Sequence, residues 1–142
     1  MKGGTIKKYG VVPLAMLFLV SILMATSCQA DDANKMAILK TIEGNWNSEI
    51  LGMDGKKYIR PWVFRVDGND FVATITRPGM QPEACKVPLE EISHEGGVLK
   101  VNIVFPPYTH KANLVISNGQ IKGTAWRQAR PPGPSDIVFS RR

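Results

Sequence analysis

From Asn45 onward the apolar residues of this chain recur at every second position, in short runs broken by turn signals roughly every 8 to 15 residues. A chain patterned in this way has one side of each run to bury and little that could become a long helix. The clearest runs are LKVNIVF, which puts Leu99, Val101, Ile103 and Phe105 on one face, and ANLVIS, which does the same with Ala112, Leu114 and Ile116. The remaining predicted strands are Asn45 to Leu51, Lys57 to Val66, Phe71 to Thr76, Ala84 to Ile92, Gln120 to Arg127 and Asp136 to Arg141. The pattern predicts an all-β domain, a single eight-stranded antiparallel up-and-down barrel. Pro61 and Pro88 cannot donate to a ladder, so each is expected at a bulge or an unpaired position.

In such a meander alternate connections lie at the same end. The even connections, DGND, SHEGG and SNGQ, are tight and supply glycine or asparagine where φ must be positive. The odd ones are GMDGK, RPGMQPE, PPYTHK and QARPPGPS, mostly longer and rich in proline. One end is therefore expected to be closed by turns, the other ringed by stiff loops carrying Arg77, Tyr108, His110 and Arg130, with Arg127 at the strand end beside them. Loops on a rigid scaffold are the usual place for binding. Lys56, Lys57, Arg77, Lys111, Arg127 and Arg130 outnumber Asp54, Glu83 and Asp136 there, a bias that suits a carboxylate or phosphate ligand as well as a plain solvated basic surface.

Ahead of this domain, residues 1–27 pair a basic start, Lys2, Lys7 and Lys8, with the apolar run VVPLAMLFLVSILM. This is the n-region and h-region of a secretory signal, too short for the roughly 20 residues of a membrane-spanning helix. Ala25-Thr26-Ser27-Cys28 resembles the bacterial lipobox, in which cleavage precedes a cysteine that then carries diacylglycerol. The alternative is an ordinary signal cut after Cys28-Gln29-Ala30. Either route predicts export, the first with the protein held to a membrane through a lipid on Cys28, in the outer membrane or at the periplasmic face. Residues 28–43 form a tether and one short helix, with Asn34 as cap and Met36, Leu39 and Ile42 at helical spacing. The barrel domain is 44–142.

The full chain holds 18 basic and 12 acidic side chains, three of the basic ones in residues 1–30, so the exported part has a net charge of +3. It has no basic run of the kind that binds nucleic acid, and no nucleic-acid partner is expected. Beyond Cys28 only Cys85 remains, which excludes an internal disulfide in the exported part and suggests a buried thiol.

Gly44-Asn45-Trp46 after the short helix resembles the G-x-W motif of the lipocalins, and the meander is similar to the calycin barrel. The closing Phe139-Ser140-Arg141-Arg142 resembles the terminal arginine that packs over that tryptophan, a structural role the resemblance gives to Trp46 and Arg141. GNW, KVPLEEI, GQIKGTAW and VFSRR also resemble the β-barrel domain that accompanies some bacterial α/β-hydrolases.

Catalysis finds little support. There is no G-x-S-x-G elbow, His94 and His110 are expected at opposite ends, and Glu90 and Glu91 fall on opposite faces of a strand. No metal-ligand spacing occurs. The expectation is a non-catalytic protein without a cofactor. Two classes remain: a carrier of a small apolar or anionic ligand, with an interior lined by residues such as Trp62, Phe64, Ile75, Val101, Ile103, Ile116 and Phe139, or an envelope module with a solid core that binds another protein or a cell-wall component through its loop rim or a strand edge. A continuous apolar cavity above about 300 Å3 separates the first from the second.

Overall fold

The computed structural model describes residues 28–52, 54–105, 110–127 and 133–142. The expected signal, residues 1–27, lies outside them. The chain divides into two compact units, Met1–Asp31 and Asp32–Arg142, and the fold belongs to the second. Helical backbone, α1, covers residues 28–40. Nothing in QADDANKMA breaks a helix, so α1 begins before Asn34, which is an exposed residue inside it and not its cap. Leu39 and the following Ile42 are fully buried.

Nine strands follow: β1 Gly44–Leu51, β2 Lys57–Asp67, β3 Asp70–Ile75, β4 Glu83–Pro88, β5 Ser93–Glu95, β6 Val98–Phe105, β7 His110–Ser117, β8 Gln120–Arg127 and β9 Gly133–Arg141. They form one antiparallel sheet in the order β4-β3-β2-β1-β9-β8-β7-β6-β5, so the first and last strands are neighbours, with Trp46 opposite Arg141. The sheet curls strongly into a half-barrel.

A closed eight-stranded barrel is not what forms. The strand expected as Ala84 to Ile92 is two pieces that pair with opposite neighbours, β4 with β3 and the three-residue β5 with β6. Pro88 divides them: it lacks an N–H, and the chain after it takes a 3₁₀ turn at Leu89–Glu91. β4 lies against β6 without a ladder between them. Glu90 and Glu91 are consequently exposed turn residues rather than opposed strand residues. Pro61 makes no bulge, since the β1–β2 register runs through it, but it holds an unpaired position on its other side, where the β2–β3 ladder begins only at Trp62. Its carbonyl accepts from the Thr76 N–H at 3.0 Å, so its missing donor faces the same neighbour, just beyond the last residue of β3.

Strand directions sort the connections between two ends. The turns at Gly68, Gly96–Gly97 and Asn118–Gly119 share one end, which we call the floor. Gly52, the residues 54–56 and the segment 76–82, with the adjoining ends of β6, β7, β8 and β9, share the other, the rim. Asn118 and Gly119, at φ 51° and 70°, make the two-residue turn whose twist matches that of the strands.

Inward residues pack from the floor upward. Phe64 stacks on Phe71 with centroids 5.6 Å apart, and Trp62 lies 5.6 Å from Phe64, 5.7 Å from Phe105 and 5.6 Å from Phe139. These separations favour offset and edge-on aromatic pairs. Gly123 makes room for this cluster, since a Cβ there would come within 2.8 Å of the Phe139 ring. α1 is held to the floor end. Lys35 donates to the Leu89 carbonyl at 3.1 Å and the Trp46 indole to the Ile42 carbonyl at 2.8 Å. Arg141 donates to the carbonyls of Thr41 at 2.6 Å and Glu43 at 3.1 Å, with its Cζ 4.6 Å from the Trp46 ring centroid. A cation is favourable against free carbonyls beyond a helix C-terminus.

Two substitutions test this packing. Arg141→Ala should lower unfolding stability by about 1–3 kcal/mol in urea titrations, the range for a cation–π contact together with charged hydrogen bonds at an exposed side chain. Gly123→Ala should cost about 1–3 kcal/mol through overpacking against Phe139, and near-ultraviolet circular dichroism should report a disturbed aromatic cluster.

Candidate functional site

Above the aromatic cluster the inner wall changes character. Its inward positions shrink to Ser48, Ala112 and Ala125, and the half-barrel opens into a cavity of about 440 Å3. Trp62, Ile75, Phe105 and Ile137 supply its apolar wall, with Ile50 nearer the rim. The Trp62 indole donates to Ser48 Oγ at 2.8 Å, so the one buried hydroxyl of the wall has a partner on its oxygen.

Three basic residues border the space, Arg60, Arg77 and Lys111. Strand alternation places Arg60 on the inner face of β2, between Tyr58 and Trp62 and directly opposite Ser48 of β1. Its guanidinium donates to the Ile59 carbonyl at 3.1 Å and lies 5.5 Å from the Tyr58 ring centroid. Arg77 is engaged by a carboxylate, its Nη1 lying 3.4 Å from both oxygens of Glu83. Glu83 Oε2 is buried and has no hydrogen-bond partner among the described residues. Lys111 precedes the buried Ala112 and is exposed.

The turn that carries Tyr58 is itself ordered by polar contacts. Asp54 accepts from the Tyr58 hydroxyl at 2.6 Å and from the Lys56 N–H at 3.0 Å, while the Gly52 N–H donates to the Lys56 carbonyl. Gly52 is needed where it stands, because a Cβ would run into the Tyr58 ring. The Tyr58 bond, then that from Lys56, holds the Asp54 carboxyl below its usual range. The same bond, reinforced by the Asp54 charge, pushes the Tyr58 phenol above its own. Lys57 turns to the outer face, 2.9 Å from Glu49, and that pairing raises its ammonium pKa.

Of the residues expected at the site, Trp62 and Arg77 line the cavity, and Phe64 lies below it in the solid core, 1% exposed. Ile75 is in the wall. Val101, Ile103 and Ile116 are buried core, and Phe139 packs half-buried against the aromatic cluster. Tyr108 and Arg130 lie outside the described residues. His110 and Arg127 occupy rim-end positions of β7 and β8, their side chains likewise outside the description. His94 is in β5 opposite Leu99, and His110 pairs with Phe105 at the other end of β6, so the two histidines are far apart along that strand. Cys85 is half-buried against the core. Among the described residues no cluster could hold a metal ion, and no helix is long and apolar enough to cross a membrane.

Sequence reasoning passed over Ser48, Tyr58 and Arg60. The signal was present: in KYIRPWVF the alternation that turns Trp62 and Phe64 inward also turns Tyr58 and Arg60 inward. No protein-family model matches the chain, and no characterised protein and no solved structure does.

The Tyr58–Asp54 bond sets a pH window. Because the phenol pKa is raised on folding, its contribution is complete below the ordinary phenol range and is lost as pH rises through the higher folded value. The Asp54 contribution is present above the ordinary carboxyl range and is lost as pH falls through its lowered value. Ultraviolet phenolate titration should show Tyr58 ionising above the ordinary phenol range, and Asp54→Asn should bring it back toward that range.

Proposed function

We propose that this chain is an exported, non-catalytic binding protein that holds one small apolar or anionic ligand at the rim end of a lipocalin-like half-barrel. The observation that carries the reading is the cavity of about 440 Å3, which lies in the range for small-molecule sites and joins an apolar wall to a few inward polar groups. Its chemistry is that of a binding site: side chains for apolar contact, two guanidinium groups, the Lys111 ammonium and the hydroxyls of Ser48 and Tyr58, with no nucleophile paired to a base among the described residues. In this proposal Cys28 carries a lipid that holds the protein to a membrane, on the strength of the Ala25-Thr26-Ser27-Cys28 pattern behind an apolar run.

A second reading rests on the outer face. Ile59 and Val138, 56% and 62% exposed, both stand opposite Glu49, with Leu51 diagonal to them. They supply apolar surface on either side of the Glu49–Lys57 pair that would suit an envelope protein as partner.

Native mass spectrometry of the protein taken from its own envelope tests both halves of the first reading. A diacylglyceryl increment that Cys28→Ala abolishes, with transfer of the variant to the soluble fraction, is the expected anchoring result. A mature chain without lipid, beginning at Asp31, would overturn it. A retained small molecule released on denaturation is expected for the cavity, and Ala125→Trp, which fills the cavity, should abolish its retention.

A further inference from the structure

The charges at the cavity are not equivalent, and their difference narrows the ligand. Arg77 is already answered by Glu83, and Lys57 by Glu49. Arg60 is different. It is half-buried on the inner face, and among the described residues no carboxylate oxygen comes within 4.0 Å of it. Its partners are a carbonyl and the face of Tyr58, both uncharged, and the Tyr58 hydroxyl is directed to Asp54. A guanidinium has five N–H donors, and these contacts use few of them.

Ser48 stands directly across the ladder from Arg60, at the roughly 5 Å Cβ spacing of such pairs. Its oxygen accepts the Trp62 N–H, and its own proton has no acceptor among the described residues. A planar donor fork and a hydroxyl donor therefore come from directly paired positions of the cavity wall, with Trp62 beside them and the apolar wall beyond. That combination matches an oxyanion with two acceptor atoms on one side and an apolar body on the other.

We infer that Arg60 and Ser48 form a head-group subsite and that the ligand is an amphiphilic carboxylate, its carboxylate on Arg60 and its apolar body against Trp62, Phe105 and Ile137. The inference rests on the cavity being a ligand site and adds the class of ligand to that reading. A single negative charge is specified because Arg60 is the cation left uncompensated on the inner face, across from Ser48. Lys111, which also borders the cavity, is exposed and precedes the inward Ala112, so a dianionic head such as a phosphate monoester seated on Arg60 and Ser48 would bring a second charge with no second free guanidinium among the described residues to meet it.

The test uses the full processed chain with decanoate, methyl decanoate and decyl phosphate as probes in calorimetric titrations. Wild type should bind decanoate about tenfold to a hundredfold more tightly than its methyl ester, the range for a lost charged hydrogen-bond pair, and more tightly than decyl phosphate. Arg60→Gln should remove the preference for acid over ester while leaving ester affinity within about twofold, and Arg60→Lys should keep part of it, since charge survives and the fork does not. Lys57→Gln, which removes the same charge on the outer face, should leave the preference intact.

Equal binding of acid and ester by wild type would overturn the head-group inference while sparing the cavity reading. Tighter binding of decyl phosphate would overturn the choice of a carboxylate, and loss of preference in Arg77→Gln but not in Arg60→Gln would overturn the choice of Arg60. Failure to bind any of the three would overturn the cavity reading together with the inference. Should Arg60→Gln not fold, carbonyl-13C nuclear magnetic resonance of labelled decanoate on the wild-type protein decides the matter. A bound carboxyl that stays ionised to lower pH than in free solution supports the pairing, and one that protonates at higher pH overturns it.

Discussion

The pairing of β1 with β9 is the constraint on which the rest of the domain depends. β1 to β4 form one run of neighbours and β5 to β9 another, and the β1–β9 ladder is the hydrogen-bonded link between them. The contact closes a loop of nearly the whole domain, with Arg141 reaching the Thr41 carbonyl 100 residues away. Closing so long a loop carries an entropic penalty, though one that grows only slowly with length. The compensating interactions are concentrated at the same place. Arg141 covers the Trp46 ring and donates to the carbonyls that follow α1, while Glu43 reaches the Val66 N–H at 2.7 Å. The floor is thus a junction of helix, first strand, second strand and last strand.

From that junction upward, side-chain size decides what is solid and what is hollow. Near the floor the inward residues are large, Phe64, Phe71, Leu39, Ile42 and Ile116, and all are fully buried or nearly so. Interiors of this kind reach crystal-like density because large and small side chains interdigitate. Higher up, Ser48, Ala112 and Ala125 leave volume that their neighbours do not fill. Trp62 is the boundary: it packs on three phenylalanine rings, and it also forms part of the cavity wall. Its indole N–H is satisfied by Ser48, so the boundary has no orphaned donor.

The charges at the rim follow a local logic that a count of basic residues hides. Asp54 takes the Tyr58 phenol, Glu83 takes Arg77, and Glu49 reaches across from the outer face of β1 to Lys57. Pairs as exposed as Lys57–Glu49 contribute little to stability. Their effect is on selectivity, because they reduce a diffuse basic rim to a few places where a positive charge stays available.

Much of the architecture is legible in the residues themselves. Alternation marked most of the strands, the Asn-Gly and Gly-Gly pairs marked the floor turns, and the same alternation in β9 put Ile137, Phe139 and Arg141 on one face. These features are local: they follow from strand geometry and from the φ angles that a turn requires. The open seam was also foreshadowed by Pro88, but the sequence could not say that the two halves of one apolar run would pair with opposite edges of the sheet. That depended on which partners offered a ladder. The same holds at the site. Arg60 can be placed on an inner face from KYIRPWVF alone, whereas its lack of a counter-ion depends on where Glu83, Asp54 and Glu49 end up, residues brought near by folding rather than by spacing. The sequence by itself determined the strands, the turns and the faces, because each is a short-range property of the backbone. Only the tertiary structure decided where the sheet stays open, which part of its interior is hollow and which charge is left uncompensated, because each of these is a property of neighbours far apart in the chain.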